Sequence, residues 1–108
     1  MKSIGIIGSG SWGTALGVLL AGNASRVTLW GREPGVIDAI NGRHENPDYL
    51  PGTQLPDNLV ATAELGDLAG SDAVFMVVPS RAVRSVAAQF ASVPLPAGVP
   101  VVSCMKGI

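Results

Sequence analysis

Three sets of residues have types and spacing that could do chemistry. The first is Gly8-Ser9-Gly10-Ser11-Trp12-Gly13, a G-x-G-x-x-G pattern that directly follows a short apolar run ending at Ile7 and opens a stretch with helical spacing. In that context each glycine has a physical task. Gly8 allows a tight turn, Gly10 leaves the backbone open to an approaching phosphate, and Gly13 lets a helix pack close to a strand. The backbone N–H groups from about Ser11 onward lack partners at a helix start, and together with the helix dipole they favour an anion. Ser11 adds a hydroxyl donor. The implied chemistry is the gripping of a dinucleotide pyrophosphate by Gly8, Ser9, Gly10, Ser11, Trp12 and Gly13. For Trp12 two readings stay open: packing in the core, or lining the cofactor cleft.

The second set is Leu29-Trp30-Gly31-Arg32-Glu33. An acidic residue about 20 positions beyond the glycines would hold the ribose 2′-hydroxyl of NAD, whereas a nearby arginine accommodates a 2′-phosphate. Here the acidic position is empty and Arg32 follows at once. A guanidinium matches phosphate geometry with paired donors and stacks on adenine. The expectation is therefore that NADP(H) is preferred, with NAD(H) also allowed. Glu33 works against that preference, because a carboxylate beside a 2′-phosphate repels it unless it points away. The third set is Lys106 and the Val78-Pro79 pair. Both follow apolar runs, and ligands in open α/β sheets bind outside the carboxyl ends of strands. Lys106 there is a point charge for a phosphate or a polarised carbonyl oxygen. The backbone at Pro79 could lie along the nicotinamide side.

The elements that must position these groups alternate. Buried strands are predicted at 3–7, 26–30, 59–62, 73–78 and 101–105. Helical spacing is predicted from Ser11 to about residue 22, with Trp12, Ala15, Leu16, Leu19 and Leu20 as its apolar face. A second helix runs from Pro34, which a first turn tolerates, to about residue 40. A marginal helix is expected at 64–69. A last one is capped by Ser80, with Val83, Val86, Ala87 and Phe90 inward and Arg81, Arg84 and Gln89 outward. Residues 43–56 form a polar loop with Pro47, Pro51 and Pro56, long enough to suggest a functional one. A proline-rich turn (Pro94, Pro96, Pro100) precedes the final strand. Such alternation calls for an α/β fold, a Rossmann-type doubly wound parallel sheet. A fold of that type runs on to a sixth strand. Residues 1–108 are therefore expected to form one NAD(P)-binding domain, truncated after about the fifth strand, at the front of a longer protein.

Composition sets the remaining bounds. The 108 residues suit one domain, and 47% hydrophobic residues suffice for a core. A formal net charge of −1 gives no reason to expect nucleic acid or an anionic membrane as partner. No run approaches the apolar length of a membrane span. Cys104 is alone, cannot form an internal disulfide, and is expected to be a small buried hydrophobe in a reducing cytoplasm. No metal-ligand spacing is present, so no metal is expected. His44 is read as solvated or lightly structural, Asp67 and Asp72 as turn residues without acid–base pairing, and Trp30 as core.

At this point the residues resemble a known family. Gly8-Ser9-Gly10-Ser11-Trp12-Gly13-Thr14-Ala15-Leu16, Leu29-Trp30-Gly31-Arg32, Asn46-Pro47-Asp48-Tyr49-Leu50-Pro51, Val77-Val78-Pro79-Ser80 and Lys106-Gly107 occur in the order seen in bacterial NAD(P)-dependent glycerol-3-phosphate dehydrogenases. The resemblance implies a cytoplasmic enzyme, homodimeric at full length, that interconverts dihydroxyacetone phosphate and sn-glycerol 3-phosphate for phospholipid synthesis. By motif position it implies that Ser11, Trp12, Arg32, Tyr49 and Lys106 contact the cofactor and that Lys106 also reaches a small phosphate substrate. The family often carries a second basic residue where Glu33 stands. Its proton-donating lysine and most substrate contacts lie in a helical C-terminal domain, so no general acid is assigned here. A chain of this kind is expected to bind cofactor without turnover. The alternative is a stand-alone NAD(H)-sensing regulatory module.

Overall fold

The computed structural model describes residues 3–78, 80–91 and 101–103, with side chains at 80–83 and 103 excepted. Five strands form one sheet: β1 (Ser3–Ile7), β2 (Arg26–Trp30), β3 (Leu59–Thr62), β4 (Ala73–Met76) and β5 (Val101–Ser103). Every pairing is parallel and the spatial order is β3-β2-β1-β4-β5. This is the Rossmann arrangement expected from the alternating pattern. The chain winds outward from β1 to β3, then crosses back to β4 on the other side of β1. That reversal opens a crevice at the carboxyl ends of β1 and β4. Just beyond those ends lie the glycine loop and Val77-Val78, with Val77 N–H donating to Ile7 O at 2.8 Å.

Each face of the sheet has its own core. On one, Ile4, Ile6, Val27, Leu29, Leu59 and Ala61 pack against α1 (Ser11–Ala21) and α2 (Pro34–Arg43), which bring Ala21, Val36 and Ile40. On the other, Ile7, Trp30, Val74 and Met76 meet Leu68 and the two anchors of α3 (Ser80–Phe90), Val86 and Phe90. Strands covered on both faces are largely apolar, so β1 and β2 are buried on successive residues (Ile4 to Ile7, Val27 to Trp30, with Thr28 the one polar side chain) and not by alternation.

Several expectations need correction. The buried face of α1 is Gly13, Thr14, Gly17 and Ala21, while Trp12, Ala15 and Leu19 are exposed, Leu19 by 70%. The reason is proximity: a β-carbon on Gly17 would sit 3.0 Å from Leu59 Cδ1 and 3.2 Å from Leu29 Cδ2, so large side chains fit only on the flanks and the far side. α2 continues to Arg43, where His44 ends it in the left-handed region (φ 54°), its N–H donating to Ile40 O and the following Glu45 N–H to Ala39 O. His44 is thus structural, and histidine is among the residues that enter this region more readily. The marginal helix is a single 3₁₀ turn, Leu65–Leu68, which buries only Leu68. The β4 ladder ends at Met76, short of Val78. Ala87 is exposed on α3, where Val86 and Phe90 fill the space. Trp30 is buried as expected, with Nε1 donating to Ala63 O at 2.9 Å. The prolines at 94, 96 and 100, Cys104, and the end of the last predicted strand lie outside the described residues, as do the side chains of Arg81 and Val83.

The packing of α1 predicts opposite outcomes at neighbouring positions. Gly17→Val should destabilise the chain by about 2 kcal/mol through overpacking against Leu29 and Leu59. Leu19→Gln should change stability by less than about 0.5 kcal/mol. Urea midpoints of the two variants check this.

Candidate functional site

The glycine loop is shaped by close backbone approaches. Gly8 has φ 134°, a conformation closed to other residues, and a β-carbon there would lie 2.2 Å from Val77 O. A β-carbon on Gly13 would lie 2.2 Å from Gly8 O. Gly8 N–H donates to Trp30 O at 2.8 Å, so the loop leaves the sheet from a fixed point. At Gly10 the situation reverses. A β-carbon there would meet nothing within 4 Å, and the position faces open space. Gly10 caps α1 without any side-chain hydrogen bond to the helix, and the first turn holds no acidic residue. The arrangement directs the positive end of the helix dipole toward open space, which favours an anion.

A cleft of about 500 Å³ opens in front of this loop. Gly8, Ser9 and Gly10 form its floor, Gly31, Arg32 and Glu33 the β2 side, and Val77, Val78 and Val86 the opposite wall. Tyr49 closes it from the long loop. The Arg32 guanidinium lies over the Trp30 ring, 5.5 Å from its centroid, a cation–π contact that holds the charge at the end of β2. Trp12 is 59% exposed at the first turn of α1, which removes its core reading. Pro79 and Lys106 lie outside the described residues. Among the described residues no group of three His, Cys, Asp or Glu could hold a metal, and no helix is long and apolar enough to cross a membrane.

The long loop is tied to the glycine loop by a residue to which the sequence reading gave no role. Asn46 is fully buried, and its Nδ2 donates to Ser9 O at 3.0 Å and to Thr14 Oγ1 at 2.8 Å. Its own carbonyl accepts from Leu50 N–H at 2.8 Å and Tyr49 N–H at 3.3 Å. Ser11 Oγ then donates to Tyr49 O at 2.7 Å. One residue thus ties the two loops together, its side chain holding the glycine loop and its backbone carbonyl holding the turn that carries Tyr49. Gly31 was missed in the same way. A β-carbon there would meet Ser9 Oγ at 2.0 Å, so only glycine lets the end of β2 lie against the glycine loop. An asparagine before proline, or a glycine before arginine, looks like ordinary turn chemistry in a sequence.

The Tyr49 hydroxyl donates to Glu33 Oε1 across the cleft. This hydrogen bond raises the phenol pKa above its ordinary value, with desolvation and the charges of Glu33 and Asp48 adding to the effect. A raised acid favours the protonated form, so the stabilisation is complete below the ordinary value of 10.0 and is lost as pH rises through the folded-state pKa. Tyr49 is the sole tyrosine, so phenolate absorbance reports it directly. The titration should lie above that of the unfolded chain, and Glu33→Gln should bring it down. Independently, Asn46→Ala removes two hydrogen bonds, the one to Thr14 fully buried, and should cost about 1–3 kcal/mol in denaturant unfolding.

Comparison with known proteins agrees with this geometry. Residues 3–108 match the family model described as the N-terminus of NAD-dependent glycerol-3-phosphate dehydrogenase. A glycerol-3-phosphate dehydrogenase [NAD(P)+] of Paramagnetospirillum magneticum is 51% identical over 109 residues, covering all of this chain and 39% of that protein. The solved glycerol-3-phosphate dehydrogenase of Coxiella burnetii superposes with TM-score 0.88 at 33% identity over 99% of this chain and 33% of that one. The yeast (Saccharomyces cerevisiae) glycerol-3-phosphate dehydrogenase superposes with TM-score 0.88 at 32% identity, covering 98% of this chain and 34% of its own. The chain therefore spans well under half the length of these relatives. With a matching order of strands, a glycine loop at the switch point and a family match across nearly its whole length, the chain belongs to the NAD-dependent glycerol-3-phosphate dehydrogenase N-terminal family.

Proposed function

We propose that this chain is the cofactor-binding part of an oxidoreductase that interconverts dihydroxyacetone phosphate and sn-glycerol 3-phosphate with NAD(P)H, supplying phospholipid synthesis. The observation that carries the reading is the open first turn of α1 at Gly10, at the floor of a cleft on the sheet's switch point. The residues fit a dinucleotide. Gly8, Ser9, Gly10, Ser11 and Gly13 would hold the pyrophosphate, with Trp12 beside it at the same helix start. Arg32, held over Trp30, would meet the adenosine end, and Tyr49 would flank the ribose. Pro79 and Lys106 are proposed on motif position, Pro79 beside the nicotinamide and Lys106 for both cofactor and substrate.

When bound, the dihydronicotinamide supplies the hydride that reduces the substrate carbonyl. The work of this chain's own residues is binding and orientation. The α1 dipole and N–H groups neutralise the pyrophosphate, and the valines at 77, 78 and 86 give the cleft an apolar wall. Lys106 would hold the substrate phosphate or its carbonyl oxygen as a point charge. The general acid and the remaining substrate contacts belong, on this proposal, to a helical part that the relatives carry beyond the aligned region. The full-length enzyme is proposed to be a cytoplasmic homodimer, with neither nucleic acid nor membrane as partner.

Titrating the 108-residue chain with NADPH and NADH tests the reading. Both should bind, and Arg32→Ala should weaken NADPH relative to NADH by about tenfold. Adding sn-glycerol 3-phosphate and NADP to the same chain should give no turnover. Failure to bind either nucleotide sinks the proposal, and substantial turnover sinks the claim that the acid lies elsewhere.

A further inference from the structure

We propose that Glu33 is a specificity-determining residue for the adenosine ribose: held in the cleft by Tyr49, it accepts a hydrogen bond from a 2′-hydroxyl and disfavours a 2′-phosphate, opposing Arg32. The proposal rests on the dinucleotide reading above and refines it.

The argument starts from where the carboxylate goes. Glu33 is the N-cap of α2, and its backbone carbonyl accepts from Val36 and Ile37 N–H, each at 3.1 Å. Ser, Thr, Asp or Asn at that position turns its side chain back onto the helix N–H groups. Glu33 does not, and makes no side-chain cap bond. Its Oε1 instead accepts the Tyr49 hydroxyl, from a loop 16 residues further on. Tyr49 is itself restrained by Asn46 through its backbone N–H and by Ser11 through its carbonyl. The chain therefore spends a loop, a buried asparagine and a phenol on holding this carboxylate at the mouth of the cleft.

The chemistry of the position follows from charge and donor inventory. Arg32 and Glu33 are consecutive, both line the cleft, and both follow the end of β2, where the adenosine ribose of a dinucleotide lies in this fold. A guanidinium only donates and an ionised carboxylate only accepts. Among the described residues Glu33 Oε2 makes no hydrogen bond, so one oxygen is positioned by Tyr49 and the other is available to a ligand hydroxyl. Tyr49 keeps its proton well into the alkaline range, so it stays a donor and does not add a second negative charge. A 2′-phosphate brought to the same place gains Arg32 but faces Glu33, and a 2′-hydroxyl finds an acceptor. The pair thus grades the two cofactors against each other and excludes neither.

The test is the ratio of NADPH to NADH affinity, measured by equilibrium titration of the whole chain and its variants. Glu33→Gln keeps the shape and a bond to Tyr49 while removing the charge. It should raise the ratio by about tenfold or more. Tyr49→Phe releases the carboxylate toward solvent and should shift the ratio the same way by a smaller factor. The double variant should go no further than Glu33→Gln alone, since Tyr49 acts through Glu33. A Tyr49 that served only the fold would weaken both nucleotides equally and leave the ratio still. If both nucleotides bind and Glu33→Gln leaves the ratio within about twofold of the parent, Glu33 does not face the 2′ position and the proposal is overturned. If the parent chain binds neither nucleotide, the dinucleotide reading itself falls and this proposal falls with it.

Discussion

The structure depends on one close approach, that of the start of α1 to the end of β1. Gly13 passes over the Gly8 carbonyl at a distance that any β-carbon would violate, and Gly8 is wedged from the other side against Val77 O. A methyl group at either place would push backbone against backbone, and backbone cannot rotate aside as a flexible side chain can. This contact brings the helix N-terminus to the sheet's switch point and aims its dipole into the cleft. The small buried face of α1 continues the same constraint, because a helix that begins so close to the sheet has no room for leucines beneath it.

Around that contact the site is assembled from segments distant in sequence. Asn46 joins the α2–β3 loop to Ser9 and Thr14, and Gly31 lets the end of β2 lie against Ser9. These bonds are buried or partly buried, where a hydrogen bond is strong and its loss leaves unpaired groups. The loop of residues 43–56 is therefore part of the site's architecture. It carries Tyr49 to the cleft and delivers a hydrogen bond to Glu33. The charged ends of Arg32 and Glu33 remain near solvent, where their effect on a ligand is graded and not absolute.

Much of this was legible in the residues. The β1 run, the glycine spacing, Pro34 at a helix start and the apolar strand runs are local signals, and each appears at its expected start, with β4 ending at Met76 and not Val78. The parallel, doubly wound character of the sheet followed from alternation. Less legible were the features that depend on distance between elements. Leu19 has helical spacing and high hydrophobicity, yet it faces outward because Gly17 already occupies the narrow side. Residues 64–69 held too few apolar positions to decide between a helix and the single 3₁₀ turn that covers Leu68. Ala87 had the right spacing but sits beside larger residues that fill the core without it.

The sequence by itself determined the fold class, the glycine loop between β1 and α1 and the presence of opposed charges after β2. Those are properties of neighbours along the chain: glycine tolerates the required dihedrals, apolar periodicity selects the element, and charge is carried by residue type. Only the tertiary structure decided what the charges face. Tyr49 bonds Glu33 at the cleft, Trp30 lies beneath Arg32, and Asn46 holds the tyrosine in place. Each of these contacts joins residues brought together by the parallel crossovers, and no local preference encodes such a meeting. The glycine loop says that a dinucleotide can sit here; the folded arrangement of Arg32, Glu33 and Tyr49 bears on which one.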